Sequence, residues 1–182
     1  MHNIQSIKWL CLPYDELTRQ QLYSLLRLRA EVFIVEQDCV FQDLDNFDQP
    51  ARHVLGLSDL SGRNGNSGNN SDSNNGSSSD SNNGNNSGED LLAYARLVPP
   101  GVIYAEPSIS RVVTSPAVRG RQLGEAVLLQ SIAYCKAAWP NLDIRIGAQQ
   151  RLEEFYLRHG FITTSDAYLE DGISHIEMLL EN

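Results

Sequence analysis

Residues 112–126 read Val-Val-Thr-Ser-Pro-Ala-Val-Arg-Gly-Arg-Gln-Leu-Gly-Glu-Ala, and no other stretch restricts the fold as much. A β-branched segment predicts a strand. Ser115 and Pro116 stop it, and an apolar-periodic run from about Arg121 to Ala138 predicts a helix directly behind. A strand that feeds a helix in this way belongs to a layered α/β arrangement. The turn between them has chemistry of its own. The first N–H groups of a helix are unpaired, and the positive end of the dipole lies behind them. Gly120 and Gly124 allow close backbone approach, while Arg119 and Arg121 add positive charge. The expected ligand of Arg119, Gly120, Arg121, Gln122, Leu123, Gly124, Glu125 and Ala126 is a diphosphate.

The rest of the chain arranges itself around that unit. Ile7–Leu12 alternates as a first strand. Thr18 and Gln21 form a capping box, and Leu22, Leu25, Leu26, Arg29 and Val32 fall at helical spacing behind it. The Val32–Val35 run is expected to end that helix or to begin an extended turn. Residues 36–50 are polar and carry Asp38, Asp43, Asp45 and Asp48, which predicts an ordered loop. Strands follow at His53–Leu60, Leu91–Val98 and Ile109–Thr114. Trp139-Pro140-Asn141 ends the second helix, and Asp143–Ile146 is a fifth strand. Gly147-Ala148-Gln149 is expected to lead into a short helix through Arg158, closed by Gly160. Phe161–Thr164 and His175–Leu180 are the last strands, around a Tyr-Leu-Glu-Asp-Gly turn.

Between Ser61 and Gly88 every residue except Arg63 is Ser, Asn, Gly or Asp. Such a tract has no apolar surface to offset the entropy of ordering. Both flanks read as strands, so residues 61–89 are expected to be a disordered insertion in a strand–strand loop. The 182 residues then form a single domain. A formal net charge of −9 argues against nucleic acid or an anionic membrane as partner, since both demand a positive footprint. Cys11, Cys39 and Cys135 are widely spaced, with no metal-ligand pattern, and suit a reducing compartment. No apolar signal core or membrane-length run is visible, so a soluble cytoplasmic protein is expected.

Two motifs together resemble the GNAT superfamily of N-acetyltransferases. The first is Arg121-Gln122-Leu123-Gly124-Glu125-Ala126, matching Arg/Gln-x-x-Gly-x-Gly/Ala. The second is Phe155-Tyr156-Leu157-Arg158-His159-Gly160-Phe161, matching the superfamily's Phe-Tyr-x-x-x-Gly-Phe helix. Within the superfamily the chain resembles the ElaA-like family, through residues 28–37, Arg52-His53, residues 93–97, Gly147-Ala148-Gln149 and residues 170–176. The resemblance implies a mixed, mostly antiparallel sheet of about six to seven strands with helices on both faces. It also implies acetyl-CoA as co-substrate, no metal, a small amine or peptide as acceptor, and a monomer or homodimer.

By the same resemblance the pantetheine arm runs along Val112, Val113 and Thr114 like an added strand. An amide near Val113 serves the oxyanion, Gln149 orients a ligand, and Tyr156 serves as general acid. The resemblance leaves the base open. Glu36, His53 and His175 are the candidates, with Asp45 and Glu106 behind them. Arg29, Arg96 and Arg111 are expected to be ion-pair partners of the acidic loop, and the loop's acids suggest a cationic acceptor. Two other readings compete. One is an acyl-homoserine-lactone synthase, on a looser likeness that includes Arg29, Phe33, Glu36, Asp43, Asp45, His53 and residues 96–99. The other is a CoA-binding regulatory module without turnover. The intact 121–126 loop and the Tyr156 helix weigh against the first, and the presence of Tyr156 weighs against the second.

Overall fold

A computed structural model describes residues 7–58 and 89–182. The strands are β1 (Ile7–Pro13), β2 (Arg52–Ser58), β3 (Leu91–Val98), β4 (Ser108–Thr114), β5 (Ile144–Gln149), β6 (Ile162–Thr163), β7 (Tyr168–Glu170) and β8 (Ile173–Leu180). The helices are α1 (Arg19–Arg29), α2 (Leu123–Ala138) and α3 (Glu153–Leu157). All eight strands share one sheet in the order β1-β2-β3-β4-β5-β8-β6, with β7 also paired to β8. Every pairing is antiparallel except β4 with β5.

The alternation of side chains along β2 and β3 sends two sets of residues to opposite faces. Val54, Ala93, Ala95 and Leu97 join Leu123, Val127 and Leu128 of α2 and Tyr156 of α3 in one core. Leu55, Leu57 and Tyr94 pack instead against Leu25 and Leu28 of α1. At the β1 edge, Trp9 lies opposite Gly56, and its ring occupies the space a Cβ would need there, 2.7 Å from the built position. The two described segments meet at the ends of β2 and β3. The Ser58 amide donates to the Asp90 carbonyl at 2.8 Å, and the Asp90 amide donates to the Ser58 hydroxyl at 2.9 Å. The expected disordered insertion lies outside the described residues, apart from Glu89, which pairs with Lys8 at 2.9 Å.

Three expectations about elements need correction or refinement. The Val32–Val35 run does not end the helix. Ala30–Glu36 continues as wide π turns, with the Gln37 amide donating to Val32 and the Cys39 amide to Ile34. Burial of Val32 against the α1 core keeps the chain helical, and the extra residue per turn swings Glu36 and Gln37 outward. Gly147-Ala148-Gln149 does lead into the helical turns that begin at Gln150, but it does so as the end of β5, paired with Glu177, Ile176 and His175. Tyr168-Leu169-Glu170 is not turn but strand. Asp171 (φ 50°) and Gly172 (φ 81°) make a two-residue loop of the kind that puts the flanking residues directly in register. This raises the strand number from the expected six or seven to eight.

The feature that creates a site is the way β4 leaves β5. They pair only at Ser108 and Arg145, and from Ile109 onward the β5-side edge of β4 has no strand partner. A bulge accompanies the divergence. Tyr94 pairs with Val113 and Arg96 with Ser110, so Arg111 and Val112 together oppose Ala95, and Arg111 takes a φ of 53°. An extra residue bends and twists the strand that carries it, which opens the sheet.

Candidate active site

The divergence of β4 and β5 produces a cleft of about 560 Å³. Ile109–Thr114 line one side and Gly147–Gln149 the other. The π turns and acidic loop roof it with Val32, Phe33, Glu36, Gln37, Cys39 and Phe41. The cleft shares Thr114, Arg119, Gly124 and Phe155 with a smaller cavity of about 310 Å³ over the start of α2.

That smaller cavity is shaped for an anion. Gly120 has φ 74° and Gln122 has φ 58°, so the chain makes two left-handed steps before α2 begins. No side chain caps the helix, and its first intrahelical bond runs from the Ala126 amide to the Gln122 carbonyl at 3.2 Å. The amides ahead of Ala126 therefore lack a side-chain cap and an intrahelical acceptor. A Cβ built on Gly124 meets nothing within 4 Å, so that position opens onto ligand space. Gly120, Gln122, Leu123, Gly124 and Glu125 line this cavity, whereas Arg121 and Ala126 do not. The Arg119 side chain bridges to Glu36 at 2.6 Å, across the mouth of the cleft.

Deeper in the cleft lies Tyr156, on α3. Its ring packs edge-on to Phe155 and Phe161. The residue is 8% exposed, lines the cleft, and has no hydrogen-bond partner for its hydroxyl among the described residues. Burial pushes its pKa up to about 12, so it stays protonated as a hydrogen-bond donor. His175 on β8, which also lines the cleft, places Nδ1 2.9 Å from the Ile173 carbonyl. A carbonyl only accepts, so Nδ1 carries the proton and a neutral His175 keeps a free lone pair on Nε2. Gln149 donates to Gln37 at 3.0 Å and accepts from Arg151 at 3.0 Å. The Glu36–Arg119 and Gln37–Gln149 contacts tie the roof to both walls.

The acidic loop has a different role from the one its composition suggested. Asp43 accepts from Arg29 at 2.9 Å and Arg111 at 2.7 Å, Asp48 from Arg29 at 2.7 Å and Arg96 at 3.1 Å, and Asp45 from Arg96 at 2.7 Å and Arg111 at 3.2 Å. Arg29 and Arg96 are fully buried. Burial raises the Asp45 pKa, but the hydrogen bonds and charge of Arg96, with the Phe47 amide and Arg111, outweigh it and hold the group at about 2. The three arginines expected to pair with this loop do so, and they consume the carboxylates that were expected to draw a cationic acceptor.

The base candidates separate accordingly. His53 is fully buried, absent from the cleft lining, and bonded on both nitrogens, at 3.0 Å to the Asp48 carbonyl and 2.9 Å to the Tyr94 hydroxyl. Nε2–H donates to the carbonyl, Nδ1 accepts from Tyr94, and no lone pair is free. Burial lowers its pKa as well. His53 is therefore a structural residue rather than a base. Glu36 lines the cleft, but the hydrogen bond from Arg119 to its Oε2 lowers its pKa and holds it in an ion pair. Asp45 is spent on Arg96 and Arg111, and Glu106 on Arg145 at 2.7 Å. Of the candidates, His175 and Glu36 have cleft access; Glu36 is held in an ion pair, whereas His175 keeps Nε2 free with no ion-pair partner among the described residues.

Sequence reasoning missed Cys39, Phe41, Gly147, Arg151, Glu170 and Asp171 as lining residues. Glu170 and Asp171 could have been found, since the Asp-Gly turn sets them on the same hairpin as His175, two strand residues beyond it. Phe41 and Arg151 had no local signal.

Comparison with known proteins gives a consistent result. The sequence profile of the acetyltransferase (GNAT) domain matches residues 82–182. Protein ElaA of Escherichia coli is 34% identical over 177 residues, covering 96% of this chain and 97% of its own length. The crystal structure of Escherichia coli ElaA aligns with a TM-score of 0.76 at 33% identity, over 97% of this chain and 100% of that one. An acyl-CoA N-acyltransferase from Pseudomonas aeruginosa aligns with a TM-score of 0.76 at 31% identity, over 96% and 99% of the two chains.

Proposed function

This chain belongs to the GNAT acyltransferase family, in its ElaA-like group, and from that premise we propose that it transfers an acetyl group from acetyl-CoA to a primary amine. One observation carries the reading. The uncapped start of α2, with Gly124 open beside it, runs without interruption into the cleft that holds the partnerless Tyr156 hydroxyl. A ligand whose diphosphate is joined by an extended arm to a terminal thioester matches that sequence of surfaces.

In this mechanism the diphosphate sits on the amides of Gln122–Glu125, and the pantetheine arm lies along Val112, Val113 and Thr114, whose β5-side edge is unpaired. The neutral amine attacks the thioester carbonyl directly. As the carbon–nitrogen bond forms, an amide of β4 near Val113 donates to the developing oxyanion; losing such a donor typically costs on the order of a hundredfold in turnover. His175 Nε2 takes the proton from the attacking nitrogen, directly or through one water. The carbon–sulfur bond then breaks, with Tyr156 donating a hydrogen bond to the departing thiolate. N-acetylated amine and CoA leave, the thiolate taking a proton from water and His175 returning its proton to solvent.

The test is acetyl-CoA-dependent thiol release against a panel of amines, with the acetylated product identified by mass. Acceptor-dependent release is expected. Tight CoA binding with no acceptor-dependent release across a broad panel would identify a regulatory CoA-binding module instead.

A further inference from the structure

We propose that the acceptor amine carries a second positive charge, seated against Glu170 and Asp171 on the β7–β8 turn, an inference that rests on the acyl-transfer reading above. It follows from the disposition of charge in the cleft. Six residues of full charge line it: Glu36, Arg111, Arg119, Arg151, Glu170 and Asp171. Glu36 and Arg119 neutralise each other. Arg111 is spent on Asp43 and Asp45. Arg151 is held by its hydrogen bond to Gln149, and its charge acts on Glu36. That leaves two carboxylates. Neither has an ion-pair or hydrogen-bond partner among the described residues, and only the main-chain carbonyl of Asp171 is engaged, by Cys39 at 3.5 Å.

Their position matches a tail site. Glu170 pairs with Ile173 and Tyr168 with His175 along the same hairpin. The carboxylates therefore lie beyond the His175 ring by about two residues of strand, or about 7 Å. A short aliphatic spacer spans that distance, and Phe41 and Ile173 offer it apolar surface. An independent observation marks the same cleft as built for a ligand: Tyr156, more than nine-tenths buried, turns an unpartnered hydroxyl into it. Net charge points the same way, since a chain at −9 attracts a cation and repels an anionic tail.

The test uses three amines with four-carbon skeletons and different tails: putrescine (cationic), n-butylamine (neutral) and γ-aminobutyrate (anionic). Acetyl-CoA-dependent thiol release should give putrescine at least a tenfold higher kcat/KM than n-butylamine, with γ-aminobutyrate lowest. The preference should shrink as salt is raised. In the full chain carrying Glu170→Gln and Asp171→Asn, the putrescine-to-butylamine ratio should fall toward one, while calorimetric acetyl-CoA affinity reports that the fold is retained. A second arm titrates each amine into the complex with CoA. Charge-selective binding without turnover supports the tail site and overturns the transfer reading. Turnover with no preference among the tails, or a preference that survives the double substitution, overturns the tail site and leaves the transfer reading standing. Neither binding nor turnover of any amine overturns both.

Discussion

Tyr156 and Gly124 set what the cleft can do at the level of single residues. Burial holds the Tyr156 phenol at about 12, well above a thiol near ~8.5, so full proton transfer to sulfur is uphill. In the proposed mechanism its contribution is a hydrogen bond to charge that develops in the transition state, present at every working pH. Tyr156→Phe should therefore lower kcat on the order of tenfold or more, with acetyl-CoA affinity by calorimetry moving far less. The wild-type rate should not decline on the alkaline side before about pH 10, because the phenol remains protonated there. A tyrosine-dependent fall between about pH 8 and 9 would exclude this role. Gly124 is argued from space. A Cβ there meets nothing within 4 Å, so Gly124→Val should fold with an unchanged melting temperature and lose at least about tenfold in CoA affinity by filling the diphosphate cradle. Loss of stability with intact affinity would show that the space is merely structural. Both residues were visible in the sequence because each sits in a local motif. His53 and His175 were indistinguishable there, since what separates them is a pair of hydrogen-bond partners, Asp48 and Tyr94, supplied by distant parts of the chain.

Two elements, the acidic loop and the β4–β5 divergence, turn a sheet into a site. The loop contains no regular secondary structure between Cys39 and Asn46, yet Asp43, Asp45 and Asp48 are fixed by Arg29 of α1, Arg96 of β3 and Arg111 of the β4 bulge. A fully buried guanidinium with both carboxylates satisfied is costly to disturb from one side. Arg29→Met leaves two buried carboxylates short of a partner and should cost about 3–5 kcal/mol in urea unfolding, with the loop losing proteolytic protection first. A change under about 1 kcal/mol would mean the network is as weak as a surface pair. The composition of the loop announced acids, and the sequence pattern correctly matched them to arginines. It could not announce that the pairing is complete, because stoichiometry and geometry are three-dimensional facts. The same limit hid the continuation of α1 into π turns and the extension of β5 through Gln149: in both, tertiary burial and cross-strand pairing overrode local propensity.

At the scale of the whole molecule, this network couples acid stability to function. Asp45 titrates at about 2 in the folded chain, against about 3.9 for an unperturbed aspartate. The folded value is depressed, so the group's contribution is fully present above about pH 4 and is lost as pH falls from there through about 2. Allowing for partial exposure, it amounts to roughly 1–2 kcal/mol. The opposing term comes from net charge. At −9 the chain repels itself, and acidification first relieves that repulsion as surface carboxylates protonate. The melting temperature at constant ionic strength should therefore stay level or rise slightly from pH 7 toward about 5, then drop steeply below about 4. In Asp45→Asn the protein should be less stable at pH 7 and the acid limb shallower, the two curves converging near pH 2. Parallel limbs would assign acid sensitivity elsewhere. Because the same loop carries Cys39 and Phe41 into the cleft lining, the acceptor end should fail before the diphosphate end. As pH is lowered, KM for the amine should rise while CoA affinity, which depends on the α2 amides, still holds.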